Sequence, residues 1–254
     1  MSDPLAGSRL KLARAEHHVG NLRDVTDRFL ETKPYRIRSE FEKDGSEKAW
    51  YLESVDEIDP TIALIAGDAI QNLRSSLDYI IYRLAERKRR RPLTEKEAKH
   101  PQFVLCTAPA AFPNQQWHIE MISKRAQATV RALQPHWPKW KRLNVLGTLA
   151  TLSDIDKHRR LSLLLARGDV LGWEGSIPGM KVLDSSGTLK EGAEICRVRF
   201  PKGHRYVDVN PHIALSIAAA DASGWATQPL ANMLGMTILY VRSIVLPRFD
   251  RLFR

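Results

Sequence analysis

Apolar residues recur at three- and four-residue intervals near the start of the chain, at Leu12, Ala15, Val19, Leu22, Val25 and Phe29. With Asp3 as N-cap and Pro4 as the first helical residue, the spacing predicts a helix that ends near Lys33-Pro34. The pattern then changes. Tyr35 to Phe41 and Ala49 to Val55 flank Lys43-Asp44-Gly45-Ser46, and the Asp-Gly pair suits a tight turn, so residues 35–56 read as a β-hairpin. Asp59-Pro60 repeats the cap-plus-proline signal and opens a long helix to about Arg87. Its apolar stripe is Ala66, Ile70, Leu73, Leu77, Ile80, Ile81 and Leu84.

Residues 88–116 read as a connecting loop with a short strand at Phe103-Val104-Leu105. A helix is expected from about Gln116 to Leu133, ended by Gln134-Pro135-His136-Trp137-Pro138. Leu143, Leu146, Leu149, Leu152 and Ile155 mark another helix, which delivers Asp156 to Arg159 at its C-terminal turn. From residue 161 to 217 the runs are short and β-favouring: Leu161 to Leu165, Lys181 to Leu183, Glu194 to Phe200 and Tyr206 to Val209. Asp184-Ser185-Ser186-Gly187 reads as a hairpin turn. A last helix opens at Thr227 to Pro229 and carries Leu230, Met233, Leu234, Ile238, Val241, Ile244 and Val245 until Pro247 stops or bends it. About five helices with β segments inserted between them argue for an α+β fold rather than a doubly wound one. One domain is expected over 1–254, with a helical core from 1–160 and 227–254, the hairpin at 35–56 and a β subregion at 161–217. The hairpin and the later strands are expected to form a small antiparallel sheet.

Composition narrows the class. A 254-residue chain with 43% apolar residues has enough material for a core, and its two cysteines stand in no paired spacing, which favours a reducing compartment. The polar first residues lack a secretory signal pattern, and the longest apolar stretch, Met233 to Leu246, contains Arg242 and falls short of the ~20 residues a bilayer crossing needs. These features point to a cytoplasmic protein with no membrane partner. The formal net charge of +10 favours an anionic partner such as RNA or another phosphate-bearing ligand. The run Arg87 to Arg91 closes a helix and precedes Pro92, which is also how cations complement a helix C-terminus. The apolar last helix suits either internal packing or a homodimer seam.

The chemistry-bearing residues concentrate in two strings. On the long helix, Asp68, Gln71, Asn72, Ser75, Tyr79 and Tyr82 fall on the face opposite the apolar stripe. Arg74 and Asp78, four residues apart at the border of the faces, are placed to pair and remain partly buried. In the second string, His158 has Asp154 four residues before it and Asp156 two before it, so a carboxylate near the ring would favour its protonated form. The candidate catalytic residues are therefore His158, Arg74 and Asp78, and the candidate binding residues Asp68, Asn72, Tyr79, Asp156 and Arg159. The alternative is structural, with His158 and Arg159 capping a helix and the carboxylates tying helices together. No metal-ligand spacing, phosphate loop or nucleophile elbow is present, so no metal or cofactor is expected. His136-Trp137-Pro138-Lys139-Trp140-Lys141-Arg142 interleaves aromatics with cations, a pattern suited to base stacking or simply to packing at a helix entrance.

Gly67-Asp68-(x)3-Asn72-Leu73-Arg74-Ser75-(x)-Leu77-Asp78 and Asp156-Lys157-His158-Arg159-(x)-Leu161 resemble a family of uncharacterised bacterial and phage proteins in which both strings recur at similar separation. The resemblance spans about residues 10–250 in layout and implies a shared fold. A second similarity is to HEPN domains, helical and often dimeric, many of them metal-independent ribonucleases that use an Arg followed four to six residues later by His. It implies Arg74 as the phosphate-facing cation. The position five residues on is Tyr79, whose phenol, with an ordinary pKa near ~10, shuttles protons poorly at neutral pH, so His158 would supply the imidazole from another helix. The β insertion is a further departure from a plain HEPN bundle. Three readings follow: a nucleic-acid- or nucleotide-binding protein, a non-enzymatic interaction or scaffold protein whose strings form a polar lock between helices, and a pocket for a small anionic metabolite.

Overall fold

A computed structural model describes residues 3–136, 144–183, 189–220 and 228–253, with the backbone alone at 167–169. The fold is α+β, as the hydrophobic pattern implies. The chain divides into two compact units, one made of Met1–Leu22, Leu64–Leu161 and Ala231–Arg254, the other of Arg23–Ala63 and Ser162–Leu230.

The first unit is helical. Helix α1 (Ala6–Glu31) begins after a turn in which Asp3 accepts the Leu5 N–H at 2.9 Å. Its buried positions Leu12, Ala15, Val19 and Leu22 follow the 3.6-residue period, and α2 (Pro60–Arg89) buries Ile70, Leu73, Leu77, Ile80 and Ile81 completely. Close approach of the two helices is built from small residues. Ser8 Oγ donates to the Ser76 carbonyl at 2.6 Å, and a Cβ on Gly7 would lie 2.7 Å from the Tyr79 ring. The cations that end α2 are used locally: Lys88 donates to the carbonyls of Glu120 and Ile122, Arg87 to that of Phe253, and Arg91 pairs with Glu97 on the short helix α3 (Glu95–Ala98).

The helix expected from 116 to 133 is broken into pieces. After α4 (Phe112–Gln115) comes a 3-10 turn, Gln116–Ile119, and only then α5 (Lys124–Ala132), because the Ser123 side chain caps a new start by accepting the Ala126 N–H. Helix α6 (Val145–His158) is capped in the same way by Asn144, which accepts from Gly147. Helix α7 (Leu230–Tyr240) passes through a π-helical turn, Val241–Val245, into α8 (Leu246–Asp250). Pro247 has no N–H to give to the preceding turn, and the widened π turn absorbs the mismatch. This run of 21 residues, Leu230–Asp250, contains an 18-residue window with a mean hydropathy of 1.4 and is by length and composition able to cross a membrane, which the apolar stretch counted from sequence was too short to do. In the folded protein 44% of that window is buried; Phe249 meets Phe103 edge-on at 5.8 Å and Arg242 pairs with Glu16.

The second unit carries the strands. β1 (Tyr35–Phe41) and β2 (Glu47–Val55) form the expected hairpin, with Gly45 at a φ of 70° in its turn, where the Tyr206 ring leaves no room for a Cβ. The four-stranded sheet runs β1-β2-β5-β4, all neighbours antiparallel, with β4 at Lys181–Leu183 and β5 at Glu194–Arg199. β3 (Leu163–Glu174) and β6 (Asn210–Ala219) form a separate antiparallel pair. The strand expected at Tyr206–Val209 lies instead at β6: Tyr206 sits at a φ of 52° and donates its hydroxyl to the Lys43 carbonyl, a turn rather than a strand. Trp50, Cys196, Val198, Phe200 and Val209 form this unit's core, and Lys48, 5% exposed, donates to the Val209 carbonyl within it. The expected turn at Asp184-Ser185-Ser186-Gly187 and the stretch from Trp137 to Arg142 lie outside the described residues.

Candidate functional site

The helical unit holds both sequence strings and, between α3 and α4, a segment that explains the first of them. Pro101, Phe103, Val104, Leu105 and Cys106 are buried, yet 101–106 belongs to no helix and pairs with no strand among the described residues. Buried peptide groups without a sheet neighbour need other partners. Phe103 is gripped on both sides: its N–H donates to Asp78 Oδ1 at 2.8 Å, and its carbonyl accepts from Arg74 Nη2 at 2.6 Å. Gln134 does the same one step on, accepting the Cys106 N–H at 2.9 Å and donating to the Val104 carbonyl at 2.8 Å. His136 Nδ1 donates to the Cys106 carbonyl at 3.1 Å. In place of the strand expected at Phe103-Val104-Leu105 the chain is irregular there, and side chains supply the hydrogen bonds that a second strand would give.

Arg74 and Asp78 are also 3.4 Å from each other and largely out of solvent. Burial pushes the Asp78 carboxyl above the usual aspartate range; Arg74, the Phe103 N–H, Lys157 and His118 pull it back only in part. The pair therefore carries two tasks, holding a backbone segment and presenting the guanidinium edge of Arg74.

The second string lies on α6. Asp156 packs its carboxylate where a Cβ on Gly67 would stand, 2.5 Å away, so Gly67 is the residue that lets α6 approach α2. Its carboxyl is raised, first by burial and then by the neighbouring Asp68. Asp68 itself is exposed and acts on His18, whose pKa is lowered by burial and Arg14 against the pull of Asp68. Asn72 donates to the Asp68 carbonyl at 2.8 Å and accepts from Lys11 at 3.4 Å. Tyr79 is 43% exposed and covers Gly7. His158, 77% exposed, has its ring 3.9 Å from Asp154, and Arg159 ends the helix in an extended conformation with its N–H donating to the Ile155 carbonyl.

One cleft gathers part of both strings. It has a volume of about 590 Å³ and is lined by Arg74, Gln102, His118, Ser153, Asp154 and Lys157 among others; His158 is not among its lining residues. Arg74 comes from α2, His118 from the 3-10 turn and Lys157 from α6. His118 Nδ1 lies 2.8 Å from the His100 carbonyl, which only accepts, so Nδ1 carries the hydrogen and Nε2 is left as the free nitrogen. Two of these residues escape sequence reasoning for different reasons. His118 has no carboxylate at helical spacing to draw attention, whereas Lys157 stands inside the second string beside the histidine that does.

Among the described residues no three His, Cys, Asp or Glu side chains gather closely enough to hold a metal ion. No protein-family model, curated protein or solved structure matches the chain.

Proposed function

We propose that this protein binds a small phosphate-bearing ligand in the cleft between α2, the 116–119 turn and α6. The carrying observation is convergence: a guanidinium, an imidazole and an ammonium, from Arg74, His118 and Lys157, line one cleft of about 590 Å³ against a single carboxylate, Asp154. That volume falls within the range of small-molecule sites rather than of an open nucleic-acid groove. Planar guanidinium and mobile ammonium groups are complementary ways of meeting phosphate oxygens, and the amide of Gln102 and hydroxyl of Ser153 add neutral polar contacts. The formal net charge of +10 supports the same sign of ligand through long-range attraction. In this reading Asp78 is a positioning residue: it holds Arg74 and Phe103 together while Arg74 faces the ligand. His158 has no assigned role in the cleft.

The test is calorimetric titration of the full chain with pyrophosphate at several salt concentrations. Lys157→Ala, at an exposed position, should leave the melting temperature unchanged and weaken binding roughly tenfold or more, as loss of a charge-assisted hydrogen bond does. Pyrophosphate binding that is undetectable at millimolar concentration, or that is indifferent to Lys157→Ala, overturns the proposal.

A second reading, the non-enzymatic scaffold with a polar lock, is favoured by the double grip of Arg74 and Asp78 on Phe103. Under it, Arg74→Ala lowers stability by roughly 3–5 kcal/mol, the cost of breaking a buried pair, and pyrophosphate raises the melting temperature of neither protein.

A further inference from the structure

Close to the cleft is a second recess of about 420 Å³, lined by His100, Trp117 and Met121 together with Lys96, Glu97 and Glu120. Trp117 is 45% exposed, a large apolar surface to leave in water. Its indole is nevertheless held: one face stacks on the His118 ring, with centroids 3.6 Å apart and planes 28° from parallel, and His100 meets it edge-on at 5.5 Å. His118 is in turn tied to the His100 carbonyl and lines the cleft. One fixed pair of rings therefore faces the apolar recess with Trp117 and the cation-bearing cleft with His118.

We infer that the ligand is a nucleotide, and that the recess is the subsite in which its base stacks on Trp117. The inference rests on the reading of the cleft as a phosphate site. An exposed aromatic that is already fixed loses little freedom when a second planar ring covers it, and bases stack on such platforms without needing hydrogen-bond readout. The charges fix the orientation. Two carboxylates, Glu97 and Glu120, face one ammonium, Lys96, in the recess, and Glu97 is itself paired with Arg89 and Arg91; in the cleft two cations, Arg74 and Lys157, face one carboxylate, Asp154, so the balance of charge sends the base to the recess and the phosphates to the cleft. The Glu120 carboxylate is also an acceptor suited to an exocyclic amine or a ribose hydroxyl.

The experiment compares ADP with pyrophosphate by calorimetry on the full chain. Wild-type protein should bind ADP at least tenfold more tightly than pyrophosphate. Trp117→Ala should weaken ADP binding by roughly five- to a hundredfold, the scale of one base–aromatic stack, and leave pyrophosphate unchanged. Trp117→Phe, which keeps an aromatic face, should restore most of the ADP preference and guards against a folding defect in the alanine variant. Equal wild-type affinities for ADP and pyrophosphate, or an ADP preference that survives Trp117→Ala, overturns the base subsite while leaving the phosphate site standing. Binding of neither ligand overturns both. Binding of a single-stranded RNA with no ADP binding also overturns the inference, since it places recognition on a larger surface.

Discussion

At the scale of single residues, Gly67 decides how α6 meets α2. A Cβ there would stand 2.5 Å from an Asp156 carboxylate oxygen, so the absence of a side chain is a packing requirement that outweighs helix propensity. Alanine is favoured over glycine by about 1 kcal/mol in a helix interior, whereas overpacking costs about 1–3 kcal/mol. Gly67→Ala is accordingly expected to destabilise the protein by about 1 kcal/mol, and to stabilise it by a similar amount when Asp156 is also alanine. Denaturant unfolding of the two singles and the double checks the change of sign. Both residues stand out in the sequence, as the first members of the two strings, but their relation does not. Periodicity places each on its own helix, and only the tertiary approach of the helices shows that one string's glycine houses the other string's carboxylate. The same limit applies to the cleft. Arg74 was legible because a charge stood at the border of an apolar stripe, while His118 belongs to a 3-10 turn with no periodic signature.

At the scale of elements, the most instructive case is the irregular segment 101–106, whose backbone groups at Phe103, Val104 and Cys106 are bonded by side chains rather than by a sheet. Gln134→Ala leaves the buried Cys106 N–H and Val104 carbonyl without their partner and should cost about 2–4 kcal/mol, with amide exchange at Cys106 losing its protection first. Composition alone marks Phe103-Val104-Leu105 as β-favouring, but no strand forms there; the side-chain partners that satisfy its backbone instead are a fact of distant residues that local pattern does not carry. The long helix and the hairpin were legible because their signals are local: caps, period and an Asp-Gly turn. The split near Ile119 was not, since the residues on both sides favour helix and the break depends on Ser123 capping a new start. Helix α3 offers a pH test of opposite character. Glu97 caps it reciprocally with Thr94 and accepts from Arg91, and these bonds hold its carboxyl down to about 2. A depressed carboxyl contributes stability above its ordinary value of 4.5 that is lost as pH falls toward about 2. Glu97→Gln should therefore lower the melting temperature at neutral pH, with the gap closing as the pH falls through that window.

At the scale of the whole molecule, neither compact unit is a continuous stretch of chain: the helical one draws on three segments and the strand-bearing one on two. The sheet makes the consequence concrete, because β2 lies between β1 and β5, and β2 comes from the earlier segment. A fragment of residues 162–230 keeps β3 to β6 but exposes the edge of β5 that β2 covers, and it should be unfolded by circular dichroism in isolation. The protein contains two cysteines, both buried, and they fall one in each unit: Cys106 closes the side-chain-held segment, and Cys196 lies in the core beside Trp50. Burial also pushes the Cys106 thiol above its usual range, so in the closed state it is shielded from an alkylating reagent by chemistry as well as by access. Each thiol is thus a clock for the opening of its own unit. Alkylation followed site by site by mass spectrometry times the two openings separately in the unmodified sequence, and a ligand seated against Arg74 would slow the clock at Cys106 without resetting the one at Cys196.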